Sequence, residues 1–156
     1  MSEASVKKAI QREYLKCAEN PQHFMKKYCV IQHPKKGKIK FALYDYQETM
    51  LDEFTSKRYN IILKSRQLGI STLSAGYSLW MMLFHQDKNI LVIATGKDTA
   101  KNLVTKVRIM YDGLPSWLKT AVEETNKLSL RFANGSQIKA IASNESAGRS
   151  EALSLL

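Results

Sequence analysis

Apolar positions recur at helical spacing from the start of the chain. Val6, Ile10 and Tyr14 fall on one side of residues 2–19, and Asn20-Pro21 ends that run. Residues 21–27 predict a short second helix. Short strands are predicted over 28–32 and 39–43, around the turn Pro34-Lys35-Lys36-Gly37. Residues 45–56 read as a helix with Tyr46, Met50, Leu51 and Phe54 on one side. Beyond it the pattern alternates: strand 60–64, helix 71–86, strand 89–95, helix 97–112. A helical turn opened by Pro115 covers 114–118, and strands 128–132 and 137–142 flank Asn134-Gly135, a hairpin signal. Residues 144–150 read as a polar loop, and 152–156 as the opening of another buried strand. Continuous apolar strands alternating with helices predict an α/β fold, with a parallel sheet covered on both faces. Residues 1–43 form a basic, helical N-terminal extension and 44–156 the main domain.

Composition narrows the class. The 156 residues are 44% hydrophobic and 24% charged, enough for one folded domain with a real core. The formal net charge is +10, and basic residues crowd the first third: Lys7-Lys8, Lys26-Lys27, Lys35-Lys36, Lys38, Lys40. A polyanion is the expected partner, with nucleic acid ahead of a membrane surface; a lysine-rich solvated face is the plainer alternative. No apolar run approaches the roughly 18 residues of a membrane span, and the N-terminus has no signal-peptide core. Two cysteines make no disulfide framework, so a reducing compartment is expected. Cys17, His23, Cys29 and His33 are spaced C-x5-H-x5-C-x3-H, without the close cysteine pair of a zinc site.

The main chemical signal is the run Ile61-Ile62-Leu63-Lys64-Ser65-Arg66-Gln67-Leu68-Gly69-Ile70-Ser71-Thr72. An apolar strand, a polar loop with a glycine before a hydroxyl pair, and then a helix aim backbone N–H groups and the helix dipole at an anion. The loop departs from G-x-x-x-x-G-K-[ST]: Lys64 stands at the first glycine and Ile70 at the lysine. Gly69 permits close approach of backbone to phosphate. Ser71 is the natural Mg2+ hydroxyl, with Thr72 as substitute. Lys64 can fold back over the phosphates, and Arg66 suits multidentate contact with a developing γ-phosphate. Upstream, the Gln47 amide can donate and accept at an adenine edge while the Tyr46 ring stacks.

These residues carry a resemblance. Leu43-Tyr44-Asp45-Tyr46-Gln47, the loop 64–72, Leu130-Arg131-Phe132-Ala133-Asn134-Gly135-Ser136 and Ser146-Ala147-Gly148-Arg149-Ser150 occur in this order. The chain resembles the N-terminal ATPase region of the large terminase subunit of tailed bacteriophages, especially T4-like ones. The resemblance implies a P-loop NTPase of the ASCE/RecA-like class that hydrolyses ATP to drive double-stranded DNA into a procapsid. It implies a homo-oligomeric ring on the portal, a small terminase subunit as partner, and the cytoplasm of an infected or prophage-carrying bacterium. By the same resemblance, Gln47 with Tyr46 is the adenine side, and Lys64, Ser65, Arg66, Gln67, Leu68, Gly69, Ile70, Ser71 and Thr72 are the Walker A loop. Arg66 and Lys64 are the catalytic cations, and Ser71 is the Mg2+ ligand.

In that family an apolar strand ending in Asp-Glu follows the segment resembling 143–150. Here Ile109-Met110-Tyr111-Asp112 is the nearest imitation, at the end of a helical pattern. The chain is therefore expected to be truncated before Walker B, with an incomplete sheet and no turnover of its own. Two rivals stand beside this reading. One is an ATP-dependent helicase or translocase, since a glutamine upstream of a P-loop is also a helicase trait. The other is a non-catalytic DNA- or portal-binding module with a degenerate loop.

Overall fold

The computed structural model describes residues 3–143 and 152–155. Helix α1 (Glu3–Glu19) passes to α2 (Pro21–Tyr28) through Asn20 alone. The Asn20 side chain accepts the His23 N–H at 2.9 Å and Pro21 supplies the first helical residue, so the second helix is capped as it starts. A hairpin follows, β1 (Val30–His33) against β2 (Gly37–Lys40), with Ile31 opposite Ile39. The His33 Nδ1 accepts the N–H groups of Lys35 and Lys36, and Gly37 turns the chain at φ +70°. Then come α3 (Asp45–Ser56), α4 (Ile70–Phe84), β3 (Asn89–Ala94), α5 (Lys97–Asp112), a 3₁₀ turn (Ser116–Leu118), β4 (Val122–Thr125), β5 (Ser129–Phe132) and β6 (Gln137–Ala142).

α4 is the centre of the core. From Leu73 to Leu83 it buries residues all round, including Leu79, Trp80 and Met82. A helix with no polar face must be enclosed, and the first 43 residues do much of the enclosing. Gly76 lets Met25 of α2 approach closely; a Cβ there would lie 2.9 Å from the Met25 sulfur. The Trp80 indole donates to the Cys17 carbonyl at 2.8 Å, and Phe84 meets Tyr14 and Phe24 edge-on. Each large side chain so buried contributes about 1.5–3 kcal/mol.

The sheet order is β3-β6-β5-β4. β3 and β6 run parallel over six residues, Asn89 opposite Gln137 through Ala94 opposite Ala142. The other two pairings are antiparallel, so the sheet is mixed, not parallel as expected. Two tight turns are the cause, one at Asn126 between β4 and β5 and one at Asn134-Gly135 between β5 and β6, because a tight turn returns the chain antiparallel. Ile90, Leu130, Phe132, Ile138 and Ala140 belong to the main core with Ala100, Val104, Val107 and Met110 of α5, and the half-buried Val92 packs against it. Arg131, between Leu130 and Phe132, points the other way and is exposed. Among the described residues, α5 is the helix that packs broadly on the sheet. β4 was not predicted; all four of its residues are exposed and its pairing is bulged, so it has no apolar alternation to read.

The larger correction concerns residues 60–64, expected to be a strand. They form none, and Ile61 and Leu63 are fully exposed. A strand needs partners for its N–H and C=O groups, and no described strand lies beside this segment. β3 has β6 on one side and, on the other, the parallel bridge between Ile90 and Leu155. The predicted opening strand at 152–156 is represented by that single bridge, with the Leu91 N–H donating to the Leu155 carbonyl at 2.9 Å. The expected loop 144–150 lies outside the described residues.

Candidate phosphate-binding loop

The loop between residue 64 and α4 is held from one side by α3. Tyr46 and Gln47 sit in the first turn of that helix, and both reach the same atom: the Leu68 carbonyl accepts from the Tyr46 hydroxyl at 2.9 Å and from Gln47 Nε2 at 3.2 Å. The Gln47 Oε1 accepts the Tyr44 N–H at 3.2 Å, the N3-side half of a capping box. Gln47 is 1% exposed. Both atoms of its amide thus bond to backbone, and in this structure Gln47 clamps the loop. Tyr44 and Tyr46 stack at 5.6 Å with 9° between ring planes, and both are exposed. Tyr44 was not among the expected site residues; its place one turn from the glutamine in an aromatic-rich run was the available signal.

The loop backbone bends through two left-handed residues, Gln67 at φ 64° and Gly69 at φ 70°. For Gln67 this conformation costs about 1–2 kcal/mol, strain of a kind that collects at binding loops. Gly69 is needed twice over, since a Cβ there would also stand 2.8 Å from Gln47 Nε2. It starts α4, accepting the N–H groups of Thr72 and Leu73. That leaves the N–H groups of Ile70 and Ser71, which have no acceptor within the helix, as the donors an anion would use.

Lys64, Ser65, Arg66, Gln67 and Ser71 are exposed, Leu68 and Thr72 half-buried, and Ile70 buried. Ile70 fills core where the usual loop has its lysine. The Lys64 ammonium donates to the Ser65 carbonyl at 3.2 Å, folded along the loop. Neither Lys64 nor Arg66 forms an ion pair with a described residue, so both cations face solvent beside the helix N-terminus. The structure therefore groups Tyr46, Gln47, Leu68 and Gly69 by direct contact and leaves Lys64, Arg66 and Ser71 free to meet a ligand.

A further cation escaped sequence reading. Lys106 of α5 lines a cleft of about 70 Å³ with Val30, Gln32, Thr72 and Ile109. Burial lowers its pKa, and no carboxylate pairs with it among the described residues. It adjoins the apolar stripe of α5, so nothing in the periodicity marks it. Ile109 to Asp112 is the last turn of α5, so Asp112 is no strand-end carboxylate.

Asn134-Gly135-Ser136 is a structural clasp. The Asn134 amide donates to the Met82 carbonyl at 2.8 Å, the Ser136 hydroxyl donates to the His85 carbonyl at 2.8 Å, and Ser136 Oγ accepts the Lys88 N–H at 3.1 Å. It ties the end of α4 to the start of β3. Of the basic residues, Lys7, Lys26 and Lys27 are paired with Glu3, Glu48 and Glu13, whereas Lys35, Lys36, Lys38 and Lys40 of the β1–β2 hairpin are exposed and form no ion pair with a described residue. No helix among the described residues is long and apolar enough to cross a membrane. No protein-family model matches the chain.

Proposed function

We propose that residues 64–72 form a modified Walker A loop that binds ATP with Mg2+, in the ATPase region of a double-stranded-DNA packaging motor of the terminase large-subunit type. The observation that carries this reading is the double clamp of Tyr46 and Gln47 on the Leu68 carbonyl. It holds a left-handed glycine at the head of a buried helix, with an exposed hydroxyl and two unpaired cations alongside. Lys64 supplies the charge absent at Ile70 and Arg66 acts on the γ-phosphate in the transition state. The exposed Ser71 hydroxyl fits Mg2+, which keeps several waters and takes few protein ligands. The Tyr44–Tyr46 pair offers a face for a base, and Lys106 adds positive charge beside Thr72. On this reading residues 64–72 with Tyr46 bind the nucleotide, and hydrolysis would further need an acid to orient the attacking water. In the assembled motor the partners are DNA, the portal, the small terminase subunit and further copies in a ring.

Titration with a fluorescent ATP analogue in Mg2+ tests binding. Wild-type signal should saturate, and Lys64→Ala should weaken affinity about tenfold, the effect of losing a charge-assisted hydrogen bond at a wet site. In a chain that includes the acidic strand, Arg66→Ala should lower turnover by up to ~10³-fold. Equal affinity in wild type and Lys64→Ala would reject the assignment. The second reading, a non-catalytic DNA-binding module, rests on the unpaired lysines of the hairpin. It predicts DNA affinity falling steeply with salt and no nucleotide signal. An NTP-driven helicase or translocase would share the binding result and differ by unwinding or translocating on DNA.

A further inference from the structure

Away from the loop, three metal-ligating groups of different chemistry converge at the junction of α1 and α2. Glu13 and Cys17 are four residues apart on α1, hence one above the other on the same face. His23 lies in the first turn of α2, its backbone fixed by the Asn20 cap. A carboxylate oxygen of Glu13, the Cys17 Sγ and a ring nitrogen of His23 all lie within 4.8 Å of one another. The site is built into the core: Cys17 is wholly buried, and its carbonyl is held by the Trp80 indole. The Glu13 and His23 side chains are 18% and 33% exposed, so they form the mouth. The cluster differs from the cysteine and histidine set suggested by spacing. Cys29 and His33 are not in it, and His33 serves the hairpin turn. Glu13, which has no place in the C-x5-H pattern, takes the third position.

We propose that Glu13, Cys17 and His23 form a divalent transition-metal site, best suited to Zn2+. One sulfur, one nitrogen and one oxygen donor with a position open to solvent is a zinc ligand set; Ca2+ and Mg2+ prefer all-oxygen sites. Around a tetrahedral zinc with bonds of about 2.0–2.3 Å the ligand atoms lie roughly 3.3–3.8 Å apart. Closing the triad needs side-chain adjustment of about an ångström, while the Glu13–His23 hydrogen bond, now 2.7 Å, opens to admit the ion. The Lys27 ammonium, 2.8 Å from Glu13, has to leave; its side chain is 48% exposed and can turn to solvent. The Cys17 thiol gives up its proton to solvent as the ion binds, and charge then balances, because a divalent ion with one thiolate and one carboxylate is neutral. Tyr28, whose hydroxyl donates to Glu13 at 3.0 Å, remains as the outer partner that orients the carboxylate. The ion would staple α1 to α2, joining a helix that buries little else to the core around α4.

The test is titration of the untagged, chelator-treated chain with Co2+, followed by Zn2+ displacement. The expected result is one equivalent of Co2+ giving tetrahedral d–d absorption and a thiolate charge-transfer band, both removed by Zn2+. Cys17→Ser should abolish the charge-transfer band, and His23→Gln and Glu13→Gln should each weaken binding at least tenfold. Cys29→Ser should keep the wild-type spectrum. Circular dichroism on each variant separates loss of the site from loss of the fold, and the wild-type spectrum needs no variant. Absence of the bands in folded wild type at tenfold excess Co2+, or a charge-transfer band persisting in folded Cys17→Ser, would overturn the proposal.

Discussion

Gln47 is where the architecture of the loop can be tested by stability alone. Replacing it with leucine keeps the volume and removes both hydrogen bonds. The Leu68 carbonyl keeps the Tyr46 hydroxyl, but the Tyr44 N–H loses its acceptor. Two net hydrogen bonds are worth about 1–3 kcal/mol together, and a partly buried donor left unsatisfied costs about another 1 kcal/mol. The apolar side chain in a site only 1% exposed returns about 1 kcal/mol. Gln47→Leu should therefore lose about 1–3 kcal/mol in urea unfolding, a fall in Tm of roughly 2–12 °C for a chain of this size. Gln47→Glu should lose more. It can still accept from Tyr44, yet it sets a carboxylate against the Leu68 carbonyl with no proton to share. Tyr46→Phe should couple to Gln47→Leu by at least ~0.5 kcal/mol, because the two side chains share one acceptor. Wild-type stability in Gln47→Leu, with strict additivity to Tyr46→Phe, would show that the clamp does not hold the loop.

Gly69→Ala should cost about 1–3 kcal/mol, from the left-handed backbone and from the clash with Gln47 Nε2; thermal unfolding within 1 °C of wild type would contradict this. The double substitution Ile61→Lys/Leu63→Lys should stay within about 0.5 kcal/mol of wild type, since both side chains are fully exposed. The same change should reduce self-association in sedimentation, and a large stability loss would mean that residues 60–64 are paired after all. The Glu13 carboxyl is pulled from 4.5 to about 2, chiefly by its hydrogen bond to Lys27, then by those to His23 and Tyr28. A folded-state value below the unfolded one gives stability that is complete above about 4.5 and lost as pH falls towards about 2. Urea midpoints in chelating buffer should show this loss in wild type and a flatter profile over the same window in Glu13→Gln.

The elements that depend on local pattern were legible. α3, α5 and β3 follow from apolar spacing and turn residues within their own stretches. Asn134-Gly135 marked the β5–β6 hairpin because its turn chemistry is local. The segment Ile61-Ile62-Leu63 was misread for the opposite reason. Its composition suits a buried strand, but a strand exists only through neighbours, and the described residues offer it none.

For the candidate site, the chain order displayed the loop, its glycine and its hydroxyls, since those act through backbone conformation and helix position. What the side chains touch was decided in three dimensions. Gln47 and Leu68 are 21 residues apart and meet because α3 packs on α4; that contact makes the amide a clamp on the loop. Thr72 and Lys106 share a cleft because α5 lies along α4, and Glu13 joins Cys17 and His23 only once α2 folds back on α1. Sequence by itself determined which segments become helices and hairpins, because backbone propensity and one-sided burial are read within a few residues. Tertiary structure alone decided the sheet's direction, the fate of residues 60–64 and every contact around the loop, because each depends on a partner supplied from elsewhere in the chain.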